Sequence, residues 1–349
     1  MNSSLTLSVV LTSYNYGRFL PQSIQSILDQ SHPPDEIIIN DDASDDGSQE
    51  IIRQYAQKNS IIHFVQNEEN EGVISSLNKG LQLARGRYLL FASADDFIFP
   101  DLIEKSLAFL EQYPQAAFFT AKALIIDEKG DHLGTWYNPV SPPAGFVPPE
   151  EALKRMRHCG FWFAGGTTVF RRKSFLEVGG FNPSIGHLCD SFVSQVLALR
   201  HGYCYLPEPL AAARLSRSSY SFHYKKDIQL SEEVRDQAIK LMRTTFRDLF
   251  PEDFVSEWEK MWKFLDGIYA WREGILDRQR FFLNEILLKL RPDRKWIDRF
   301  FIALLKMASW AQFFLFGIYF ISCFGRPTLF RQYLSLRRVF GWLKRYIKT

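Results

Sequence analysis

The chain has 349 residues, 46% of them hydrophobic and 23% charged, with a formal net charge of +3, a composition that excludes a disordered chain and suits one large domain with an appendage. Its four cysteines, Cys159, Cys189, Cys204 and Cys323, are scattered without a Cys-x-x-Cys pair, as expected of free thiols in a reducing compartment. His187 near Cys189 and His201 near Cys204 lack the close, repeated ligand pairs by which structural zinc announces itself.

The N-terminal Met1-Asn2-Ser3-Ser4 has no basic region followed by an apolar stretch, so no secretory signal is expected and the catalytic domain is expected to stay in the cytosol. Leu7-Ser8-Val9-Val10-Leu11 then reads as a first strand, ending in the polar turn Thr12-Ser13-Tyr14-Asn15-Tyr16-Gly17. Helical patterns follow over roughly 19–29, 49–57, 73–84 and 101–113. Between them lie two further buried-strand runs, Glu36-Ile37-Ile38-Ile39 and Tyr88-Leu89-Leu90-Phe91-Ala92. Each of these ends in acid: Asn40-Asp41-Asp42-Ala43-Ser44-Asp45-Asp46-Gly47-Ser48 after one, Ser93-Ala94-Asp95-Asp96 after the other.

This alternation predicts an α/β fold, a mostly parallel sheet with helices on both faces, in which ligands bind beyond the carboxyl ends of the strands. Thr12, Tyr14, Asp42 and Asp95 all fall at those ends. Carboxylates directly after a buried strand are costly unless something cationic or hydrogen-bonding meets them, and Mg²⁺ or Mn²⁺ takes oxygen ligands of this kind. The alternative for Asp95-Asp96 is a helix N-cap before Asp101 and Leu102.

Further along, Asp127-Glu128-Lys129-Gly130-Asp131 reads as a hairpin turn and Asn138–Pro149 as a loop. Phe161-Trp162-Phe163-Ala164-Gly165-Gly166-Thr167-Thr168 reads either as the lining of an acceptor cleft, with Trp162 offering an aromatic face to a sugar, or as a strand with a core tryptophan. From Lys225 to Leu290 the pattern is helical, with Ile228, Val234, Ile239, Met242, Phe246 and Leu249 spaced for one face. Three parts are expected: residues 1–224, a helical extension over 225–290, and 291–349.

The last part holds 12 Lys or Arg and only two acids, Asp293 and Asp298. Its Trp, Phe, Leu and Ile at helical spacing favour an anionic membrane surface over nucleic acid as the partner of that charge. Met307–Gly325 is an uncharged run of 19 residues, near the roughly 20 needed to span a bilayer. Both its flanks are basic, which favours an in-plane or re-entrant helical pair over a span, a packed core being the third possibility. The expected location is peripheral or monotopic on the cytoplasmic face of a membrane.

In order, Val9-Val10-Leu11-Thr12-Ser13-Tyr14-Asn15, Asp41-Asp42-Ala43-Ser44-Asp45-Asp46-Gly47, Asn70-Glu71-Gly72-Val73, Ala84-Arg85-Gly86-Arg87-Tyr88, Ser93-Ala94-Asp95-Asp96 with Pro100, and Val178-Gly179-Gly180-Phe181 resemble the glycosyltransferase family 2 over residues 7–221. The resemblance implies a GT-A fold and an inverting transferase using a nucleotide-diphosphate sugar. It implies that Thr12 and Tyr14 border the base, that Asp42 accepts a hydrogen bond from a uracil-type ring, and that Asp95 holds a divalent cation (Mn²⁺ or Mg²⁺) and the diphosphate. Ser93 stands where the family has its first aspartate; it suits a ribose hydroxyl better than a metal. Asp96 is read as an acid behind Asp95 or, preferably, as the cap of the next helix.

Asp190, about nine residues after Gly-Gly-Phe and preceded by Cys189 where the family has glutamate, is the implied general base, with an N-cap as the alternative. Arg214-Leu215-Ser216-Arg217-Ser218-Ser219-Tyr220-Ser221 resembles the segment that closes over the diphosphate. Ser216 there replaces a histidine, and Arg217 is a candidate for charge on the leaving group. The implied acceptor is a glycan or lipid-linked precursor of a cell-surface polysaccharide. The competing readings are a polyprenyl-phosphate sugar synthase, which needs no general base, and a degenerate member that binds nucleotide or glycan without turnover. Paired carboxylates also serve glycosidases, but nucleotide-side motifs have no role in hydrolysis.

Overall fold

The computed structural model describes residues 6–136, 142–159, 163–216, 220, 228–260 and 262. The chain divides into two compact units, Met1–Lys154 with Phe161–Arg217, and Arg155–Gly160 with Ser218–Thr349. In the first, β1 (Leu7–Ser13), β2 (Glu36–Asp41), β3 (Ile62–Gln66) and β4 (Tyr88–Ser93) follow the expected apolar runs. Helices α1 (Leu20–Leu28), α2 (Ser48–Lys58), α3 (Val73–Leu83) and α4 (Leu102–Gln112) follow the expected helical patterns within a residue or two.

The remaining elements of this unit are β5 (Phe97–Ile98), β6 (Phe118–Ile126), β7 (His132–Trp136), β8 (Gly145–Val147), β9 (Val169–Arg171) and β10 (Tyr203–Arg214). With them come α5 (Pro149–Cys159), whose residues from Arg155 on belong to the second unit, α6 (Arg172–Glu177) and α7 (Cys189–His201). Among the described residues ten strands join one sheet in the order β3-β2-β1-β4-β9-β6-β10-β5, with β7 on β6 and β8 on β10.

The first four strands, β3-β2-β1-β4, are wholly parallel. Beyond it the sheet is mixed: β9 runs antiparallel between β4 and β6, while β10 is parallel to β6. The two antiparallel joints of β9 leave β4, β6 and β10 pointing the same way, so their carboxyl ends share the edge where β1 and β2 end. Asp127–Asp131 makes the expected turn, joining β6 and β7 as an antiparallel hairpin.

Alternation sorts the strand residues onto two faces. Val9 and Leu11, with Ile37 and Ile39, pack in one core with Leu20, Ile24 and Ile27 of α1, Ile52 of α2, and Leu102, Ile103, Leu107 and Leu110 of α4. On the other face α3 lies so close that a Cβ on Gly80 would meet Val10 Cγ1 at 2.3 Å. That face also carries a cluster of Phe91, Phe170, Phe175 and Phe181, with ring centroids 4.8–6.1 Å apart. Asn78 of α3 locks the Gly-Gly-Phe turn into it: its side chain donates to Phe181 O at 2.8 Å and accepts from Phe181 N at 3.0 Å.

In the second unit Ile228–Arg243 is α8, and residues 252–260 are also helical. Val234, Ala238, Ile239 and Met242 are buried at the expected helical spacing, as are Phe254, Val255 and Trp258. Arg157 forms a two-pronged ion pair with Asp253 at 2.6 and 3.1 Å. Among the described residues no helix is long and apolar enough to cross a membrane. Met307–Gly325 and the basic segment around it lie outside the described residues.

Gly86 in Ala-Arg-Gly-Arg-Tyr has a steric reason. It donates its N–H to Ser8 Oγ at 2.7 Å, and a Cβ there would stand 2.6 Å from the Ser8 backbone nitrogen. Ser8 Oγ passes on a hydrogen bond to buried Glu36, whose carboxylate also receives the Arg85 N–H. Gly86→Ala is therefore expected to destabilise the protein by about 1–3 kcal/mol, the usual cost of overpacking. Urea unfolding should show a lower midpoint with an unchanged slope.

Candidate active site

Parallel register brings the expected site residues to one edge. Thr12 of β1 is aligned with Asn40 of β2 on one side and Ser93 of β4 on the other, so residues 81 positions apart sit on adjacent strands about 4.8 Å apart. The loops leaving these strands are bonded to each other. Asn15, with φ of +58°, donates its N–H to Ser44 Oγ and accepts from Asp45 N; Gly17 N donates to Asp46 Oδ2. Asp41 is consumed in the same turn, accepting from Ser44 N at 2.9 Å and Ser44 Oγ at 2.6 Å. Thr12 is half-buried and Tyr14 is 45% exposed at the rim.

Asp42 is only 3% exposed and already accepts three hydrogen bonds: from Asn67 Nδ2 at 2.7 Å and Glu71 N at 2.9 Å on Oδ1, and from Gly72 N at 2.8 Å on Oδ2. Of a carboxylate's roughly four acceptor positions one remains, on Oδ2. Gly72, with φ of +88°, lets the chain turn its N–H onto that oxygen. This gives the Asn-Glu-Gly-Val motif a physical reason: it wraps the Asp42 carboxylate.

At the end of β4, Ser93 Oγ donates to Asp95 Oδ1, and the Tyr16 hydroxyl also bonds the Asp95 carboxylate. Asp95 is 6% exposed; burial raises its pKa, partly offset by Ser93, Arg214 and Tyr16. Asp96 is pushed further up, by burial and then by the charge of Asp95. The helix-cap reading of Asp96 is corrected here: the N-cap of α4 is Asp101, and Asp96 Oδ1 instead accepts the backbone N–H of Arg214 at 2.7 Å.

Arg214 is a residue whose task the sequence did not disclose. It is 7% exposed, its guanidinium lies 4.3 Å over the Phe19 ring, and it donates to Asp95 O and Asp127 O at 2.9 Å, Glu128 O at 3.3 Å and Gln22 Oε1 at 2.9 Å. It therefore ties the end of β10 to the β4 turn, the β6–β7 hairpin and α1. Ser216, at the family's histidine position, donates to Glu128 Oε1, while Glu128 Oε2 pairs with Arg18 at 3.0 Å. Arg217 and Trp162 lie outside the described residues.

Asp190 sits in the first turn of α7, where its negative charge suits the helix dipole; the N-cap is Leu188. Asp190 Oδ1 accepts the Ser191 N–H at 2.6 Å. The side chain reaches solvent, yet surrounding protein desolvates the carboxyl and raises its pKa, a combination that a concave surface produces. Cys189 beside it is buried, and burial pushes its thiol up; the Cys204 thiol is likewise pushed up, to about 12. Neither is a nucleophile at neutral pH.

The short helical turn Gly165–Thr167 lies between Asp190 and the Asp95-Asp96 turn. A Cβ on Gly165 would stand 3.7 Å from Asp190 Oδ2, and one on Gly166 would stand 4.0 Å from Asp96 Oδ2. Thr167 fixes this turn against β6 by donating to Ala121 O and accepting from Ala121 N; Thr168 reaches Thr120 Oγ1 at 3.2 Å. Residues 94 positions apart are thus brought to either side of two glycines.

Among the described residues no group of three or more His, Cys, Asp or Glu stands close enough to hold a metal by itself. Asp95 and Asp96 offer one or two carboxylates, the protein's usual share of a Mg²⁺ site completed by substrate phosphates. The donor set fits a cation that arrives with a diphosphate.

Residues 8–179 match the model of Glycosyl transferase family 2. Over 122 residues the chain is 40% identical to the putative teichuronic acid biosynthesis glycosyltransferase TuaG of Bacillus subtilis, covering 35% of this chain and 48% of that protein. Over 182 residues it is 35% identical to the putative glycosyltransferase EpsE of the same organism, covering 52% of this chain and 62% of that one. The matches thus span about half to three fifths of these relatives' lengths. Among solved structures, S. aureus TarS 1–349 in complex with UDP-GlcNAc shares the fold with a TM-score of 0.59 at 16% identity, over 96% of this chain and 92% of that one. The mannosyltransferase PcManGT from Pyrobaculum calidifontis, in complex with GDP-Man and Mn²⁺, does so with 0.56 at 15% identity, over 97% and 88%. The expected GT-A architecture is the one these neighbours share, and the ordered motifs lie on the strand ends that the family model spans: this chain belongs to glycosyl transferase family 2 through residues 8–179.

Proposed function

We propose that the protein is an inverting glycosyltransferase that moves one sugar from a nucleotide-diphosphate sugar to a glycan or lipid-linked acceptor in cell-surface polysaccharide synthesis. The observation that carries this reading is the meeting of Asp190 and the Asp95-Asp96 turn across Gly165-Gly166. A base on one side and a diphosphate site on the other is the arrangement that in-line displacement at a sugar carbon requires. UDP-GlcNAc in TarS and GDP-Man in PcManGT support a nucleotide-sugar donor, and TuaG's name supports a surface polymer.

In this reading Thr12 and Tyr14 border the base, and Asp42 accepts a ring N–H on its remaining Oδ2 position. Ser93 bonds a ribose hydroxyl. Asp95 faces the diphosphate, where a divalent cation supplies charge to the leaving group when bound. Arg217 adds positive charge to that group. Asp190 takes the acceptor proton as the acceptor oxygen bonds to the anomeric carbon and the bond to the diphosphate breaks on the opposite face, so configuration inverts. The direct test is a thermal-shift screen of UDP- and GDP-sugars with and without Mn²⁺, since a ligand that binds only the folded state raises the melting temperature. No shift with any of them would refute the assignment.

Asp42→Ala should weaken nucleotide binding by about 1–3 kcal/mol by calorimetry, the range for a hydrogen bond to a charged group. Unchanged affinity in a folded variant would remove Asp42 from the base pocket. Asp190→Asn should keep donor binding and lower turnover by about 10²- to 10⁴-fold. Because burial raises the Asp190 pKa, wild-type turnover should climb with pH through a midpoint above the usual carboxylate range, as the base loses its proton. A rate already flat across that interval would place the proton elsewhere.

The basic, aromatic residues 291–349 support attachment to an anionic membrane at the cytoplasmic face. Truncation after Pro292 should shift the protein from floating liposomes to the soluble fraction while preserving nucleotide binding. If the full chain also stays soluble on anionic lipid at low salt, the membrane reading fails.

A further inference from the structure

We infer that Lys79 is a positioning residue for donor binding: it turns the Asn67 amide so that its nitrogen faces Asp42, and so fixes the carboxylate that receives the base. This rests on the glycosyltransferase reading and deepens it by giving a residue of α3 a task in nucleotide recognition. Lys79 lies in the second turn of α3. Long side chains on a helix lean toward its N-terminus, and here that carries the ammonium back to the 67–72 loop from which the helix starts. Its Nζ donates to Asn67 Oδ1 and to Glu71 Oε1, each at 2.7 Å. Ser75, one turn earlier, donates to the other oxygen of Glu71 at 2.8 Å.

Asn67 is 3% exposed, and the two sides of its amide are alike in shape and opposite in chemistry. On one side Nδ2 donates to Asp42 Oδ1 at 2.7 Å and to Ser76 Oγ at 3.3 Å; on the other Oδ1 meets Lys79. Turned over, the amide would fill the same volume but set its carbonyl oxygen against the Asp42 carboxylate, two acceptors with no proton between them. An ammonium carries donors only, so Lys79 permits one of the two orientations. Its charge is spent locally on Glu71, both side chains being partly exposed, so what reaches Asp42 is orientation more than field. The same ammonium clasps the Glu71 side chain to α3, and with it the Glu71 N–H that Asp42 Oδ1 also accepts. Without the Asn67 donor the carboxylate plane is held from the backbone alone, by Glu71 N and Gly72 N.

The experiment is a double-mutant cycle in the full-length protein, read by calorimetry with UDP and GDP as probes. Lys79→Met should raise the Kd of whichever nucleotide the wild type binds by about threefold to tenfold, the worth of one hydrogen bond. The melting temperature without nucleotide should barely move, because a partly exposed ion pair contributes little to stability. Lys79→Arg, which keeps a cation with several donors, should recover most of the affinity. If Lys79 acts through Asn67 on Asp42, its effect should vanish in the Asp42→Ala background: adding Lys79→Met there should change Kd by less than about twofold, whereas a merely structural role would add in full. Unchanged affinity in Lys79→Met, an equal loss in the Asp42→Ala background, or no loss on Asp42→Ala itself would overturn the inference. Failure of the underlying reading is distinct: neither nucleotide would then bind the wild type at all.

Discussion

The site depends on one buried cation. Asp95 and Asp96 follow a strand toward the interior, where burial opposes ionisation of both and the charge of Asp95 further opposes that of Asp96. Arg214 makes that turn possible by meeting it from β10: its backbone N–H takes Asp96 and its Nε takes the Asp95 carbonyl. The rest of the guanidinium is spent on Asp127 O, Glu128 O and Gln22, with Phe19 beneath it. A planar fork with five donors can hold four chain segments in one geometry; a lysine has neither the plane nor the reach in several directions. An unpaired charge left by its loss would be costly.

Around that anchor the fold does two kinds of work. The parallel half aligns the ends of β1, β2 and β4, so that the residues at those ends need only short loops to meet. The mixed half solves a harder problem. Antiparallel β9 enters between β4 and β6 for only three residues, and the chain before it, Gly165–Thr168, fills the remaining gap. That gap is where the floor between Asp96 and Asp190 is made. The Thr167 hydroxyl, accepting from Ala121 N and donating to Ala121 O, substitutes for the strand pairing that is missing there.

Functional side chains here are over-determined by their surroundings. Asp42 wraps the 67–72 loop around itself, and Asp95 is oriented by Ser93 and Tyr16. Such groups can hold a ligand without reorganising, at a cost in stability that the surrounding core offsets. Cys189 shows the converse: a thiol next to the proposed base, protonated by burial and serving as packing.

Local pattern carried the strands β1 to β4, the helices between them, the β6–β7 turn and the acidic strand ends, because hydrophobic periodicity and turn chemistry act over a few residues and are written there directly. Ordered motifs carried the family. Sequence could not show that Asp96 serves β10 instead of capping a helix, since its partner is 118 residues away. It could not show that Arg214 is a buried brace. Nor could it show the mixed half of the sheet, because β5, β8 and β9 are two or three residues long and have no periodicity to read. What tertiary structure alone decided is which groups meet. Asp96, Gly165, Gly166 and Asp190 become neighbours through the register of β4, β9, β6 and β10, a property of the assembled sheet that no single segment contains.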